Sequence, residues 1–292
     1  MQYAIHYHPQ FRHFDEIDEV IFDYGGSDSI VEFVPKILKK QNQKAVINIQ
    51  TIEKEKIEEV IPFLNKLKNI HSNILLQIDF YKQKNLIELL KDNQFDFMFA
   101  TFAKDYDTFY SMIELGAKEV YITEYLGFCL KNLQQIREEK NIKLRVFPDI
   151  AQSTKGTTNI ISPITKFWIR PEDTELYEQY VDTFEICRLD NKQSVIYEIY
   201  KRQQWFGPIQ EIILDCDITL ENTNLDPRFG QERINCGKRC TYGKCNLCTE
   251  MEDLALRFNL VGISIEKKKK KNEITQEERE LVKKELENHM EK

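Results

Sequence analysis

The sequence has no run of about eighteen apolar residues, the length needed to span a bilayer. Its opening, MQYAIHYHPQ, carries neither the basic nor the apolar stretch of a secretory leader. These two absences predict a cytoplasmic protein with no membrane partner. Glycine and proline are sparse, 10 and 8 among 292 residues, which excludes collagen-like and low-complexity chains. A Gly-rich phosphate turn is also missing. The nearest candidate, Tyr24-Gly25-Gly26-Ser27, lacks the G-x-G-x-x-G spacing of a dinucleotide site. Histidine is rarer still. His6, His8, His13, His71 and His289 all fall outside the expected strand ends, so no Ser-His-Asp or Cys-His grouping is in view. His6 and His8 alternate on a possible short strand, which is compatible with two metal ligands as well as with ordinary half-buried histidines. A net charge of −7 disfavours a broad electrostatic grip on nucleic acid, while leaving room for a local basic patch on phosphate.

What is present is apolar substance and a repeat. Hydrophobic residues make up 41% of the chain, with 18 Phe and 13 Tyr, enough to bury a large core. Short β-branched or aromatic runs alternate with segments whose apolar residues recur at helical spacing, the mark of successive βα units. The expected strands are Val20 to Tyr24, Ala45 to Gln50, Ile74 to Phe80, Phe95 to Thr101, Glu119 to Glu124, Lys143 to Ile150, Lys166 to Arg170 and Thr183 to Leu189. Runs such as AVINIQ and ILLQIDF are almost continuously apolar, as in parallel strands covered on both faces. The fold class is therefore α/β, an eight-unit βα barrel of the TIM type, with an open doubly wound sheet as the alternative.

The pattern divides the chain into an N-terminal cap at 1–19, whose YAIHYHP and FRHFDEID suit an extra strand or a cap under the barrel, the barrel at 20–219, a cysteine-rich segment at 220–262 and a Lys/Glu-rich helical tail at 263–292. Within the barrel unit, EIILDCDI reads as one further strand after the eighth repeat. The tail, five lysines followed by ITQEERELVKKELENHMEK, suits a solvated helix that contacts a protein partner.

In such barrels the carboxyl ends of the strands form the working face, because the βα loops converge there. Polar residues at those ends are Asp23, Tyr24, Gln50, Asp79, Thr101, Glu124, Asp149, Gln152, Arg170, Glu172, Glu185 and Arg188. Glu124, Asp149 and Arg170 are the catalytic candidates, expected to face one cavity and an unidentified substrate. The densest chemical signal lies beyond the barrel: Cys236, Cys240, Cys245 and Cys248, spaced C-x3-C-x4-C-x2-C. Gly237 and Gly243 permit tight turns between the thiols, and Lys238, Arg239 and Lys244 offset the charge of four thiolates. Zinc and a 4Fe-4S cluster both accept such a set, and the spacing does not choose between them. Cys129, Cys187 and Cys216 read as small buried hydrophobes.

The segment from Gly116 to Leu189 resembles the collagenase-like peptidase family U32, in a strand, a Glu-x-x-Gly turn at Glu124 to Gly127, a helix and a second strand. FWIRPEDTELYEQYVDTFEI continues the similar layout. The resemblance implies a barrel fold. It also implies a possible iron-sulfur cluster, since some members bind one and hydroxylate quinone precursors or RNA without oxygen, whereas others are classed as proteases. Here the thiols sit close together after the barrel, unlike the wide spread of the cluster-binding members. Two functions follow as expectations: a metal-binding barrel enzyme acting on a small molecule or RNA, or a non-catalytic binding or assembly protein with a structural zinc.

Overall fold

The computed structural model describes residues 1–24, 29–40, 42–50, 52, 56–80, 84–103, 105–122, 126, 129–148, 169–187 and 192–204, and the backbone of two short strands at 218–221 and 264–267. Eight parallel strands close into a barrel in chain order: β1 Gln2–His6, β2 Glu19–Asp23, β3 Lys44–Asn48, β4 Ile74–Ile78, β5 Phe97–Phe99, β6 Glu119–Tyr121, β7 Lys143–Val146 and β8 Thr183–Ile186. Closure joins β1 to β8, with Ala4 opposite Glu185 and Ile5 opposite Ile186. A closed barrel has no sheet edge, so every strand finds a partner on both sides.

Alternation along each strand builds two apolar layers. Val20 and Phe22 on β2, Ala45 and Ile47 on β3, and Phe97 and Phe99 on β5 face outward and join the main core under the helices. Ile21, Val46, Leu75, Met98 and Tyr121 face inward and fill the barrel itself, with Phe102 and Phe147 packed against them. The barrel is thus a packed core rather than a pore.

Helices α1 Ser29–Ile37, α2 Ile57–Ile70, α3 Lys84–Asp92, α4 Tyr106–Glu114, α5 Leu130–Glu139 and α7 Gln193–Arg202, with the single-turn α6 Thr174–Tyr177, connect the strands. Local chemistry sets their ends. Asp105 caps α4 by accepting from the Thr108 N–H at 2.8 Å, satisfying one of the free donors of the first turn. Gly116 ends the same unit at φ +102, where a Cβ would stand 2.9 Å from Lys91 Cε. On α5, Arg137 donates to the carbonyls of Ile142 and Tyr180 and pairs with Asp182, tying that helix to the approach of β8.

Three expectations are corrected. The cap assigned to residues 1–19 contains a barrel strand, β1, because Tyr3, Ala4 and Ile5 are buried and pair on both sides. Of the strand expected at Lys166 to Arg170, the described residues Ile169 and Arg170 lie in no strand, and β7 pairs directly with β8. The chain leaves the barrel top at Pro148 and returns beside it, where the Ile169 N–H donates to the Pro148 carbonyl at 3.1 Å. Arg170 then enters a 3-10 turn, Pro171–Asp173. The buried Tyr200 hydroxyl, 3.0 and 2.9 Å from the carbonyls of Pro148 and Ile169, holds these two flanks together. Finally, the tail assigned from 263 begins with a strand rather than a helix: β10, Ser264–Lys267, pairs antiparallel with β9, Ile218–Glu221. Its SIEK alternation suits a strand better than the lysine run that follows. Most of the segment EIILDCDI, residues 211–217, lies outside the described residues.

Candidate functional site at the barrel mouth

The interior of the barrel carries charge as well as hydrocarbon. At the amino ends of the strands, Glu19 on β2, Lys44 on β3 and Glu119 on β6 turn inward and are buried. Lys44 Nζ lies 2.6 Å from Glu19 Oε1 and also pairs with Glu119. Above them Arg145 on β7, fully buried, donates to Glu19, to Glu119 at 2.7 Å and, through its other terminal nitrogen, to Glu185 on β8 at 3.0 Å. Isolated charges at such depth are very costly, so each needs a partner. One guanidinium serves three carboxylates.

From Glu185 the network climbs to the carboxyl ends of the strands. Glu185 accepts the Tyr121 hydroxyl at 2.5 Å on one oxygen and contacts His6 Nε2 at 3.1 Å on the other. The Tyr121 oxygen accepts in turn from Gln77 Nε2 at 3.1 Å. Because the Tyr121 proton is committed to Glu185, Gln77 must present its NH2 to that oxygen, and its buried Oε1 is left without a hydrogen-bond partner among the described residues. Beside this chain, Tyr121 stacks on Phe147 with ring centroids 5.0 Å apart, and Phe102 closes against both. Farther round the mouth, Asn48 donates to Asp23 at 2.7 Å.

Environment sets the protonation of these groups. Burial pushes the Glu119 carboxyl up, but the charges of Arg145 and Lys44 outweigh it and hold the group at about 2. Glu185 also lies below its ordinary value: burial opposes ionisation, and His6 and Arg145 overcome it. Burial and then the negative charge of Glu185 push the Tyr121 phenol well above its usual range, which keeps it a donor. For His6, burial disfavours the imidazolium, yet the hydrogen bond and charge of Glu185, with a contribution from Asp23 against that of Arg145, raise its pKa overall.

The expected site residues fare unequally. Glu185 and Asp23 stand at the mouth. Tyr24 instead packs on Phe63, ring centroids 4.9 Å apart. Arg170 is engaged by its own turn, with Nε and a terminal nitrogen each 2.6 Å from the two oxygens of Asp173. Burial works against its charge, and those bonds raise its pKa above the ordinary value. Glu124, Asp149, Gln152, Arg188 and the four cysteines Cys236, Cys240, Cys245 and Cys248 lie outside the described residues. His6, which sequence reasoning had set aside, is the main addition. It was missed because β1 was assigned to a cap, and its signal was the alternation of YAIHYHP. His6 and His8 form no metal set among the described residues; His8 Nδ1 faces the Gln10 N–H at 3.3 Å. One surface grouping, His13 with Glu16 and Glu198, does bring three ligand atoms together, but Lys201 already pairs with Glu16 there.

The fold and its interior define a parallel eight-stranded α/β barrel with a polar carboxyl-end mouth. No family model matches the sequence, and no curated protein matches it. Among solved structures, the chain is similar to a U32 peptidase, 13% identical over 64% of this chain and 92% of that one, with a TM-score of 0.42. It is also similar to a conserved protein of unknown function from an Enterococcus faecalis locus, 10% identical over 69% and 66% of the two chains, TM-score 0.40. A third is an active-site mutant of a Rhizomucor miehei β-1,3-glucanosyltransferase in complex with laminaritriose, 11% identical over 64% and 86%, TM-score 0.37. At these scores the likenesses carry no functional argument, and the barrel rests on its own strand pairing.

Proposed function

We propose that this protein is a metal-binding barrel enzyme that holds one zinc ion or one 4Fe-4S cluster on Cys236, Cys240, Cys245 and Cys248 and takes a small molecule or an RNA base at the barrel mouth. The observation that carries the metal reading is the antiparallel pairing of β9 and β10, which sets Glu221 opposite Ser264. All four thiols lie between those residues, so their segment is closed at its base, and closure lowers the entropic cost of bringing distant ligands to one centre. Four thiolates suit either group, and Lys238, Arg239 and Lys244 favour the ionised thiols both require. Bound zinc supplies a folding constraint, and a bound cluster supplies electron transfer. The U32 resemblance of Gly116 to Leu189 supports an enzyme of that kind.

The closed donor set supports a second reading. Four protein thiolates leave zinc no free position for substrate, the usual arrangement of a structural site. In that case the metal staples the segment and the protein binds a partner without catalysis.

Anaerobic purification, metal analysis and an absorption spectrum tell the metals apart: a cluster, which favours the enzyme, gives a brown protein with iron and sulfide, and zinc, which fits both readings, gives a colourless one. Cys245→Ser is expected to lose the metal and to make the region after Asn235 protease-sensitive, while the barrel, with its own core, stays folded. Full metal content in the variant would overturn the assignment.

A further inference from the structure

The ionic network inside the barrel is closed at one end and open at the other. Its lower members, Glu19, Lys44, Glu119 and Arg145, pair among themselves, with exposed Lys143 3.8 Å from Glu119 at the rim. The upper member Glu185 shares Arg145 with two other carboxylates, and its other oxygen meets the titratable imidazole of His6. The His6 side chain is 21% exposed while Glu185 is wholly buried, so of this pair the imidazole is the group that meets solvent. Nε2 is held by Glu185, and Nδ1 has no hydrogen-bond partner among the described residues. The ring is fixed from behind as well. Ala4 lies opposite Glu185 in the β1–β8 register, which places His6 one inward position higher, and Gln193 at the start of α7 donates to the His6 carbonyl at 2.9 Å. A partly exposed imidazole at a strand end, oriented by a buried carboxylate and with its other nitrogen unpartnered among the described residues, has the geometry of a general acid–base group.

We propose that His6 is the proton-transfer residue of the barrel mouth, that Glu185 is its positioning residue, and that the ligand it serves presents a carbonyl or anionic oxygen to Nδ1. This rests on the mouth being the working face, as the proposed enzyme requires, but not on the metal. The charged and titratable groups that face His6 are Glu185 from β8, Asp23 from β2 and Arg145 from β7, with Tyr121 from β6 acting through Glu185. Two of the three direct neighbours are anionic and favour the imidazolium, and from that form the step is a donation. The Nδ1–H bond breaks, its proton goes to the ligand oxygen, and the bonding pair stays on Nδ1 as the neutral imidazole lone pair. The Nε2–H bond stays intact and hydrogen-bonded to Glu185 throughout, and a proton from solvent returns Nδ1 to its protonated form.

The test is nuclear magnetic resonance of the full-length, metal-loaded protein with ring-labelled histidine, titrated with pH in the wild type, Glu185→Gln and Tyr121→Phe, and repeated with acetate as a bare oxyanion probe. His6 is assigned by the loss of its signal in His6→Gln. The expected result is a His6 pKa above 6.5 in the wild type, a clear fall in Glu185→Gln, a smaller change in Tyr121→Phe, and a shift of its ring signals by acetate that chloride does not reproduce. Amide spectra of each variant report whether the barrel has folded. If Glu185→Gln does not fold, the comparison rests on Tyr121→Phe and on acetate with the wild type. A His6 that titrates at its ordinary value, or whose signals ignore acetate, overturns the proposal. Metal content measured on the same samples reports separately on the cysteine site, so the two readings fail independently.

Discussion

The two ends of the barrel interior solve the same problem of buried charge in different ways. At the amino end, Lys44 and Arg145 between them pair with Glu19 and Glu119, and their charges hold the Glu119 carboxyl well below its ordinary value. At the carboxyl end, Glu185 is completed by a titratable imidazole rather than a permanent cation, and Gln77 keeps an acceptor unused. At the amino end each carboxylate meets a permanent cation, although Arg145 Nε lacks a partner among the described residues, whereas the carboxyl end places a titratable group and an acceptor where a ligand can meet them. The contrast matches the general division of such barrels into a stabilising amino face and a working carboxyl face.

Substitution separates the two ends, beginning with the group that spans both. Arg145→Met strips three carboxylates of a shared partner and is expected to cost at least about 3–5 kcal/mol, read as a lower urea midpoint or as failure to fold. A stability change near zero would show that the lower network is not what holds the barrel floor. Acid comes next. The folded carboxyl of Glu119 is depressed, so its contribution is fully present above its ordinary value of 4.5 and is lost as pH falls toward about 2. Urea midpoints taken across that window should fall for the wild type and fall less steeply for Glu119→Gln. The smallest effect belongs to the mouth. Gln77→Met removes a side chain that already has an unsatisfied oxygen, and the expected loss is within about 1 kcal/mol. A loss as large as that of Arg145→Met would mean that Gln77 is a structural post and not a free acceptor.

Much of the barrel was legible because parallel strands buried on both faces leave apolar runs, as in β3 and β4, between amphipathic helices. Two errors have one physical root: a short apolar run does not reveal its partner. FWIR, with its aromatic pair, reads as a strand, yet β7 pairs with β8 without it. QYAIH, expected as an extra strand or a cap, does not reveal that it pairs with both β2 and β8, where its two end residues are half-buried and the three between them are buried. The interior network was legible in part. Glu185 was marked from its place near a strand end, while Glu19, Lys44, Glu119 and Arg145 were passed over because charged residues are normally read as solvent-facing. Their inward direction follows from strand register, a long-range property that composition does not carry.

Pairing β1 with β8 also fixes when the mouth can exist. His6 and Glu185 are 179 residues apart, and no local turn or hairpin brings them near each other. During synthesis β1 emerges early and waits with a bare flank until the last barrel strand has left the ribosome, a wait typical of non-local pairings. A half-built or briefly opened barrel can hold most of its helices and still lack the pair. The His6–Glu185 contact is therefore a built-in seal indicator: it forms only once the ring of strands has shut.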